Sequence, residues 1–563
     1  MISPGFRFLP LPLLILLSIA TAFARAEVPV LVTPVIAKRT MVVAGHPEAA
    51  AAGDAIFREG GNAIDAAVAV SLALGVAEPY GSGLGGKLML LYFDAKSGKT
   101  YAVDAMDEAS RSLVASDYRK KPEKSRYDGW SAVCTPGLAA GLHAAHARWG
   151  KLPWQQTIQP AIKLADSGFK VLPKTRLLFE ERLDKLRGGD GTLAMIFLPK
   201  GELPDIGSRL PNHDLARTME LLARNGSDGF YRGPVANALV VASRKGGGQL
   251  TLEDLENYEA RMSMPIAIDF DGYRILGGPP PSTGASLFMT ILKGLESEPL
   301  QPPLRTAANI DLIGRFWREA YPQVQHEIGD SPKSRTAFDR MVSPVEIEAL
   351  RKRAHGKQRK VARVHEIDSL LACTTHFVVV DAAGNIVCAT QSQSLHFGAG
   401  VAAAGVVMND SMSNFAYNDT SSPNALAPAR RPRSTISPTI VLHQGSPVLA
   451  LGIPGSSRIP TAVLQVLIDH LVFKRPLEDA IGDTRIHWYS PYEKSKPDAV
   501  EAEKSLSPDV VRGLQSRGWQ VNLPEEPGTG RHFGGINAIA ILPDGTRAGY
   551  ADPRRTNAAI GGD

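Results

Sequence analysis

Two adjacent threonines, Thr374 and Thr375, head a run of apolar residues, Phe377 to Val380, that is typical of a β-strand. A threonine hydroxyl is a weak nucleophile at neutral pH unless a base lies beside it, and one such base is the α-amino group of the same residue. That amino group exists only when the threonine begins a chain, and its pKa of about 7.7–8.0 leaves much of it available as free base. Cleavage of the Cys373–Thr374 bond would therefore turn Thr374 into a nucleophile that carries its own base.

The polar segment before this pair favours such a cleavage. Residues 331–368 are the most polar and basic stretch of the chain, as a solvent-accessible processing linker would be, and their last part, Arg351 to Asp368, predicts a surface helix or loop. Taken alone, a Thr-Thr pair is equally well explained as ordinary strand sequence, because β-branched residues are favoured in sheets. The catalytic hypothesis therefore depends on the rest of the chain.

The predicted elements change character at Thr374, from mainly helical before it to short strands separated by turns after it. The predicted helices are 48–77 with a break at Gly60-Gly61, 138–149, 154–168, a short one from Leu252, 285–295 and 461–472, and the predicted strands are 88–93, a pair within 266–276, 377–380, 385–391, 405–408, 439–442 and 449–453. A glycine-rich turn, Gly81 to Gly86, joins helix to strand, which reverses the order of phosphate-binding motifs. We therefore expect these glycines to serve close backbone packing.

A second stretch suited to chemistry is the turn of small residues Pro454-Gly455-Ser456-Ser457, which precedes the predicted helix 461–472. Backbone N–H groups at such a helix entry point toward one place, which suits a developing oxyanion. A turn followed by an ordinary helix N-cap explains the same residues more simply.

Composition narrows the class of protein. The chain has 563 residues, 44% of them hydrophobic, and a formal net charge of +5, so it can bury a large core and offers no case for nucleic acid as a partner. Three cysteines, Cys134, Cys373 and Cys388, are too few for a disulfide framework, and no Cys/His spacing resembles a metal site. We expect these thiols to be small buried apolar groups.

The first 26 residues are typical of a secretory signal peptide. They contain Arg7, an apolar run from Phe8 to Phe23 and the small-x-small triplet Ala24-Arg25-Ala26. The apolar run is shorter than a membrane span, although an uncleaved N-terminal anchor is the alternative. No second apolar stretch in the sequence is long enough to cross a bilayer, so we expect an exported protein, periplasmic or extracellular, with no membrane span after signal removal.

Together, the motifs of this sequence resemble those of the γ-glutamyltransferase (glutathione hydrolase) family of N-terminal-nucleophile hydrolases, across nearly the whole mature chain. In the order in which the family carries them, they are Gly60-Gly61-Asn62-Ala63-Ile64-Asp65-Ala66-Ala67-Val68-Ala69, Gly83-Leu84-Gly85-Gly86, Thr135-Pro136-Gly137, Gln159-Pro160-Ala161, Thr374-Thr375-His376-Phe377, Asp381 with Gly384-Asn385, Arg431 to Thr439, Pro454 to Arg458, and Asp552-Pro553-Arg554. So many separate motifs in one order are poorly explained by coincidence.

The resemblance implies an αββα four-layer sandwich of the α/β (α+β) class, formed by two subunits of one proenzyme that cuts itself before Thr374. The large subunit would be 27–373 and the small subunit 374–563, held together as a heterodimer. The implied reaction forms an acyl-enzyme on Thr374 from a small γ-glutamyl amide or peptide and passes the acyl group to water or to an amino acid or peptide. The family uses no metal and no organic cofactor.

The resemblance also implies roles around the nucleophile. The family's second threonine, whose hydroxyl orients the nucleophile, falls on Ser392, which keeps a hydroxyl. The oxyanion-hole pair, usually two glycines, falls on Gly455 and Ser456. A serine still offers its backbone N–H there if the local φ permits it.

The residues implied to bind the glutamyl head depart from the family. These positions are Met106, Ser394, Ser411, Asn414, Ser434 and Thr435, of which only the last two, a hydroxyl pair, keep the family's residue types. Met106 stands where the family has a carboxylate-binding arginine, and Asn414 stands where it has an ammonium-binding aspartate. Losing each charged contact costs roughly 2–5 kcal/mol in a desolvated site, which argues against efficient glutathione turnover.

Two basic residues, Lys87 and Arg458, are candidates to replace the lost arginine. The connection from Phe415 to Pro432 is short compared with members that carry a lid, which favours an open site for a bulkier acyl group or acceptor. Three hypotheses follow: a γ-glutamyl donor bound in an altered way, an acylase acting on a non-glutamyl amide of the glutaryl or cephalosporin type, and a non-catalytic exported binding relative.

Overall fold

A computed structural model describes residues 30–356, 372–489, 498–524 and 533–563. The predicted signal peptide, and the part of the predicted processing linker from 357 to 371, lie outside the described residues. Among the described residues, no helix is both long and apolar enough to cross a membrane.

Two antiparallel seven-stranded sheets form the centre of the molecule. In spatial order, the first sheet contains Val35–Ala37, Arg547–Ala551, Asn537–Ile541, Ser446–Gly452, Thr439–His443, Tyr273–Gly277 and Ile266–Phe270, and the second sheet contains Ala558–Gly562, Thr40–Ala44, Ala372–Val380, Ile386–Leu395, Lys87–Asp94, Lys99–Ala105 and Arg261–Ser263. Smaller sheets pair Ala402–Ala403 with Val406–Val407, Phe169–Lys170 with Arg209–Leu210, and Ile486–Tyr489 with Ala499–Ala502 and Gln520–Asn522.

Helices cover the outer face of each sheet. The α-helices are Pro47–Arg58, Ala63–Ala77, Ala115–Arg119, Leu138–Trp149, Trp154–Ser167, Pro173–Glu181, Leu183–Arg187, Thr192–Phe197, His213–Asn225, Asp228–Tyr231, Gly233–Lys245, Leu252–Glu256, Gly284–Leu295, Ala307–Glu327, Lys333–Met341, Pro344–His355, Arg458–Leu467, Leu477–Gly482 and Pro508–Gln515. Short 3₁₀ segments are Glu123–Arg126, Trp130–Ala132, Pro199–Gly201 and Ser411–Asn414, and a π-helical turn, Ile468–Val472, extends one α-helix.

Strand alternation explains the four layers. Along the strand Ala372–Val380, Phe377 and Val379 belong to the apolar cluster under the helices, whereas Val378 and Val380 belong to the cluster between the two sheets. A third cluster joins the first sheet to its own helices. This is the predicted αββα arrangement, and the period of two places the side chain of Thr374 on the side that faces the other sheet.

Most of the predicted helices and strands are present in the structure, but the polar stretch before Thr374 differs from the prediction. The polar stretch from 331 is not an open linker up to His355, because it forms the helices Lys333–Met341 and Pro344–His355. Phe338 and Met341 of the first helix are buried three residues apart, as are Ile347 and Leu350 of the second. A few apolar residues in a charged background are therefore enough to dock both helices.

The glycine-rich turn has the predicted packing role. A side chain at Gly85 would place its Cβ 2.1 Å from the Val407 carbonyl oxygen, and one at Gly86 would come within 2.4 Å of the Ser392 carbonyl oxygen. Only glycine therefore lets this turn lie against both the strand Ile386–Leu395 and the short strand Val406–Val407.

Candidate active site

The hydroxyls of Thr374 and Ser392 form a buried pair in the second sheet. The two residues lie directly opposite each other on adjacent strands, and the Thr374 Oγ1 donates a hydrogen bond to the Ser392 Oγ at 3.1 Å. Thr374 is 6% exposed and Ser392 is 2% exposed. The backbone N–H of Ser394 also donates to the Ser392 Oγ at 3.0 Å, so this oxygen is held from two sides.

A β-bulge lies at the bond that the sequence predicts to be cut. The register shifts between Cys373 and Thr374: Cys373 pairs with Ser394, and Thr374 pairs with Ser392, so Gln393 is the extra residue. Ser394 has a φ of +78°, in the left-handed region. Bulges are common beside active sites because they turn one residue away from the regular ladder.

The predicted oxyanion loop lies between a strand and a helix. It follows the strand Ser446–Gly452, and the helix begins at Arg458, three residues earlier than predicted. Gly455 has a φ of +146° and Ser456 a φ of +55°, so both occupy backbone conformations that favour glycine. Ser456 therefore keeps the geometry of a glycine pair at a conformational cost of about 1–2 kcal/mol.

Of the hydroxyl pair Ser434 and Thr435, Thr435 contacts this loop. The Thr435 Oγ1 donates to the carbonyl oxygen of Ser456 at 2.8 Å, so this hydroxyl holds the predicted oxyanion loop in place. The carbonyl of Ser434 accepts from the backbone N–H of Thr283 at 2.8 Å, which ties the pair to the proline-rich turn before the helix Gly284–Leu295.

Lys87 lies in a buried polar cluster with two of the predicted substrate-binding residues. Its Nζ donates to the Ser394 Oγ at 2.5 Å and to the Ser411 Oγ at 2.7 Å, and lies 3.4 Å from the Asp107 Oδ2. The Ser411 hydroxyl donates to the same Asp107 oxygen at 2.5 Å. Lys87 is 1% exposed, and Asp107 and Ser411 are fully buried.

The charge of Asp107 depends on this lysine. Burial raises the pKa of the Asp107 carboxyl to about 6, against the opposing effect of the Lys87 ammonium and the Ser411 hydroxyl. Lys87 and Asp107 together are therefore close to electrically neutral. Lys87 bonds to Ser394 and Ser411, and Asp107 accepts from Ser411.

Met106, which replaces the family's arginine, and Arg458, the other basic candidate, both lie outside this polar cluster. Met106 is fully buried in the apolar cluster of the first sheet and its helices. Arg458 forms two hydrogen bonds with the Glu501 carboxylate, at 3.0 and 2.6 Å. Of the two basic residues that the sequence offers in place of the lost arginine, Lys87 is therefore the one that contacts the predicted recognition residues.

Asn414 is the third of the predicted substrate-binding residues at this cluster. Its side-chain Nδ2 donates to the Ser394 Oγ at 3.0 Å, and its own carbonyl accepts from the Asn424 Nδ2 at 2.7 Å. Asn424 is fully buried and also accepts from the backbone N–H of Arg433 at 2.9 Å. The short connection 415–432 is thus closed at its base by Asn424, a residue that sequence reasoning missed.

Glu78 lies on the other face of the same strand, below Thr375. The pKa of its fully buried carboxyl is raised by burial, which outweighs a hydrogen bond from Thr375 and the charge of Arg555. The Thr556 hydroxyl donates to the Glu78 Oε1 at 3.2 Å, and the Tyr80 hydroxyl donates to the same oxygen at 3.0 Å. Sequence reasoning missed this residue, although Glu78 directly follows the buried helix Ala63–Ala77.

Several motif residues serve the scaffold. The Asp381 Oδ2 accepts from the backbone N–H of Ala63 at 3.0 Å and therefore joins the Thr374 strand to the start of the helix Ala63–Ala77. Arg554 pairs with Glu503 and with Asp552. Cys134 and Cys388 are buried free thiols, as expected. In the ranges that the structure describes, no group of three or more His, Cys, Asp or Glu side chains could hold a metal ion.

The sequence profile of the γ-glutamyltranspeptidase family matches residues 49–562. The chain belongs to this family. It is 31% identical over 543 residues to the glutathione hydrolase proenzyme of Escherichia coli (strain K12), an alignment that covers 92% of this chain and 91% of that protein. It is 32% identical over 535 residues to the acylase ACY 1 proenzyme of Pseudomonas sp. (strain SE83), covering 92% of each.

The solved structure of a cephalosporin acylase from Bacillus halodurans superposes with a TM-score of 0.84 at 25% identity, covering 100% of this chain and 99% of that one. These similarities confirm the predicted family and fold, and this γ-glutamyltranspeptidase family member is an enzyme of the N-terminal-nucleophile hydrolase class. Its relatives include both glutathione hydrolases and acylases.

Proposed function

We propose that this protein is a self-processing amidohydrolase or acyltransferase whose nucleophile is Thr374. The observation that carries the proposal is the buried 3.1 Å hydrogen bond between the hydroxyls of Thr374 and Ser392, at a bulge next to the Cys373–Thr374 bond. The small-molecule substrate would be an amide or peptide with an acyl group of the γ-glutamyl type. The implied products of processing are a large subunit ending at Cys373 and a small subunit of 374–563.

Processing would begin with the Thr374 Oγ1 attacking the carbonyl carbon of Cys373. The carbon–nitrogen bond then breaks, the nitrogen of Thr374 gains the proton that the hydroxyl lost, and an ester joins the two residues. Water hydrolyses this ester and leaves a carboxylate on Cys373 and a free hydroxyl and amine on Thr374. Ser392 would hold the hydroxyl in place during the attack.

Turnover would use the same atoms. The new α-amine of Thr374 takes the hydroxyl proton as Oγ1 attacks the amide carbon, and the backbone N–H groups of Gly455 and Ser456 stabilise the oxyanion that forms. The leaving amine takes a proton from the Thr374 ammonium, which yields the acyl-enzyme. Water or an acceptor amine then attacks that ester and releases the acyl group.

The intact mass of the purified protein tests this proposal, with a Thr374→Ala variant beside it. Two fragments divided between Cys373 and Thr374, absent from the variant, are the expected result. A Thr374→Ser variant, which keeps a hydroxyl, should also be cut, at a lower rate. A single uncut chain in the parent would remove the nucleophile and favour the non-catalytic binding relative.

An acylase acting on a non-glutamyl amide is the second candidate. It is favoured by the neutral Asn414 and by the burial of Met106 in an apolar cluster, since together they remove the charged partners of a glutamyl head. Turnover of glutathione compared with turnover of a glutaryl amide separates the two candidates. Glutathione hydrolysis as fast as that of the glutaryl amide would exclude this second candidate.

Export to the periplasm or the medium is also a proposal. It is supported by the basic residue, the apolar run and the small-x-small triplet of residues 1–26. Cell fractionation with N-terminal sequencing of the large fragment tests it, and we expect a first residue at Glu27. A fragment that begins at Met1 and sediments with membranes would indicate a retained anchor instead.

A further inference from the structure

The β-bulge beside Thr374 holds Ser394 in a strained backbone conformation. Ser394 has a φ of +78°, in the left-handed region, which disfavours an L side chain by roughly tenfold. In this conformation the Ser394 backbone N–H donates to the Ser392 Oγ at 3.0 Å, and the same oxygen accepts from the Thr374 Oγ1 at 3.1 Å. A contact that holds Ser394 in place therefore also holds the acceptor of the Thr374 hydroxyl.

The Ser394 side chain accepts from two donors outside its own strand. The Lys87 Nζ donates to the Ser394 Oγ at 2.5 Å, and the Asn414 Nδ2 donates to it at 3.0 Å. Lys87 lies on the neighbouring strand, directly opposite Ser392, and is 1% exposed. Hydrogen bonds from charged donors are about twice as strong as those from neutral ones, so the Lys87 contact is the stronger of the two.

Asp107 and Ser411 hold the ammonium of Lys87 in turn. The Lys87 Nζ donates to the Ser411 Oγ at 2.7 Å and to the Asp107 Oδ2 at 3.4 Å, and the Ser411 hydroxyl donates to the same Asp107 oxygen at 2.5 Å. A lysine ammonium has three protons to donate, and Ser394, Ser411 and Asp107 accept all three. The Lys87 side chain is therefore a fixed contact for Ser394.

The bulge depends on the conformation of Ser394. Relaxation of this residue to an extended conformation would remove the bulge, because a bulge exists only where one strand has an extra residue. Losing that extra residue shifts the pairing by one position, and a shift of one position turns each side chain to the opposite face of the sheet. The hydroxyls of Thr374 and Ser392 could not then both remain in their present pair.

We propose that Lys87 is a positioning residue for cleavage of the Cys373–Thr374 bond, because it holds Ser394 in the left-handed conformation and so keeps Ser392 opposite the Thr374 hydroxyl. This role rests on the proposed function, since it concerns the same self-cleavage. It is separate from any contact between Lys87 and a substrate, because self-cleavage uses only atoms of the chain and water.

The test measures the rate of self-cleavage of the full-length chain by pulse labelling. Removing Lys87 alone would leave Asp107 buried without its cation, so the variant is Lys87→Met/Asp107→Asn, which removes both charges. We expect it to be cut at least about tenfold more slowly than the parent. Adding Ser394→Gly should return the rate to within about threefold of the parent, because glycine adopts a φ of +78° without help from Lys87.

Two single variants of Ser394 make the same comparison with the Lys87–Asp107 pair intact. Ser394→Ala and Ser394→Gly both remove the hydroxyl that accepts from Lys87, but only glycine tolerates the left-handed conformation. Ser394→Ala should therefore be cut at least about tenfold more slowly than Ser394→Gly, which should stay within about threefold of the parent. These two variants decide the question if the charge-pair variant does not fold.

Arg305→Met/Asp469→Asn is the matched control, because it also removes a buried ion pair, at the π-helical turn Ile468–Val472. It should be cut within about threefold of the parent rate. Equal rates for Ser394→Ala and Ser394→Gly, or a folded Lys87→Met/Asp107→Asn protein that is cut at the parent rate, would overturn the role of Lys87 alone. A parent that is never cut would instead overturn the proposed function, and the role of Lys87 with it.

Discussion

The Thr374 Oγ1 and the Ser392 Oγ lie 3.1 Å apart across two hydrogen-bonded strands, and the pairing of those strands sets the distance between them. Neither hydroxyl depends on a flexible loop for its position. The proposed nucleophile is therefore aligned in the uncut chain, which is what the proposed self-processing requires, because such an enzyme must cleave itself before it can act on anything else.

Ser392→Ala should slow both self-cleavage and amide hydrolysis. Removing the acceptor leaves the Thr374 hydroxyl and the Ser394 N–H without a partner, a loss of about 1–3 kcal/mol, which corresponds to roughly a 10- to 100-fold lower rate. The rate at which the 374–563 fragment appears, followed by mass spectrometry, measures the effect on cleavage. Ser392→Thr keeps the hydroxyl and should stay within about threefold of the parent.

Ser456→Gly should stabilise the protein. A serine at a φ of +55° is strained by about 1–2 kcal/mol, and the added freedom of glycine in the unfolded chain offsets about half of that relief. We expect a gain of about 0.5–1 kcal/mol in a denaturant titration of the uncut Thr374→Ala form. The neighbour Ser457, with a φ of −58°, is the control, and Ser457→Gly should lose stability.

The pH dependence of stability should include a contribution from His376. Burial lowers the pKa of its imidazole to about 3, so the folded protein keeps it neutral while the unfolded chain takes up a proton below about pH 6.5. Stability is therefore lost as pH falls through that range, by about 2 kcal/mol between pH 8 and pH 5.

His376→Asn should flatten this slope, as measured by denaturant unfolding at both pH values in the uncut form. His213→Asn, at a surface position, serves as the control. An unchanged slope in His376→Asn would show that the imidazole is not kept neutral by the fold.

Asp381→Ala should destabilise the protein without changing turnover by correctly cut molecules. The Asp381 carboxylate accepts from the backbone N–H groups of Ala63, Ala383 and Asn385, and it lies seven residues, about 23 Å of extended strand, from Thr374. Loss of this capping should cost about 1–3 kcal/mol. Asp544→Ala, which removes a similar contact in an exposed turn, should cost less, and a drop in kcat for cut Asp381→Ala enzyme would contradict a purely structural role.

Much of the scaffold could be predicted from the sequence because its helices and strands follow from the local spacing of apolar and turn residues. The buried helix Ala63–Ala77, the helix Leu138–Trp149 and the strand Ala372–Val380 follow from apolar period and turn residues alone. The prediction of Thr374 as the nucleophile needed the surrounding motifs, since a Thr-Thr pair in a strand has no distinctive chemistry of its own.

The polar cluster could not be predicted in the same way. Its four members, Lys87, Asp107, Ser394 and Ser411, are far apart in the sequence. Lys87 and Ser394 lie on neighbouring strands, Asp107 follows a third strand, and Ser411 begins a 3₁₀ turn, so only the folded sheet brings them together. The sequence also does not show which acceptor a hydroxyl will bond to. Thr435 lies at a position implied to bind the glutamyl head, yet its hydroxyl donates to the carbonyl of Ser456. Such roles depend on which acceptor is nearest in space.

The order of strands has a consequence for the two proposed subunits. Strands from before and after residue 373 alternate, so five of the twelve neighbouring pairs, three in the second sheet and two in the first, join one subunit to the other. Pulling the subunits apart would expose the open ladder edges of both sheets together with the apolar layer between them. After the cut, dissociation would therefore be the same event as denaturation, and refolding from separated pieces would become second order in protein concentration.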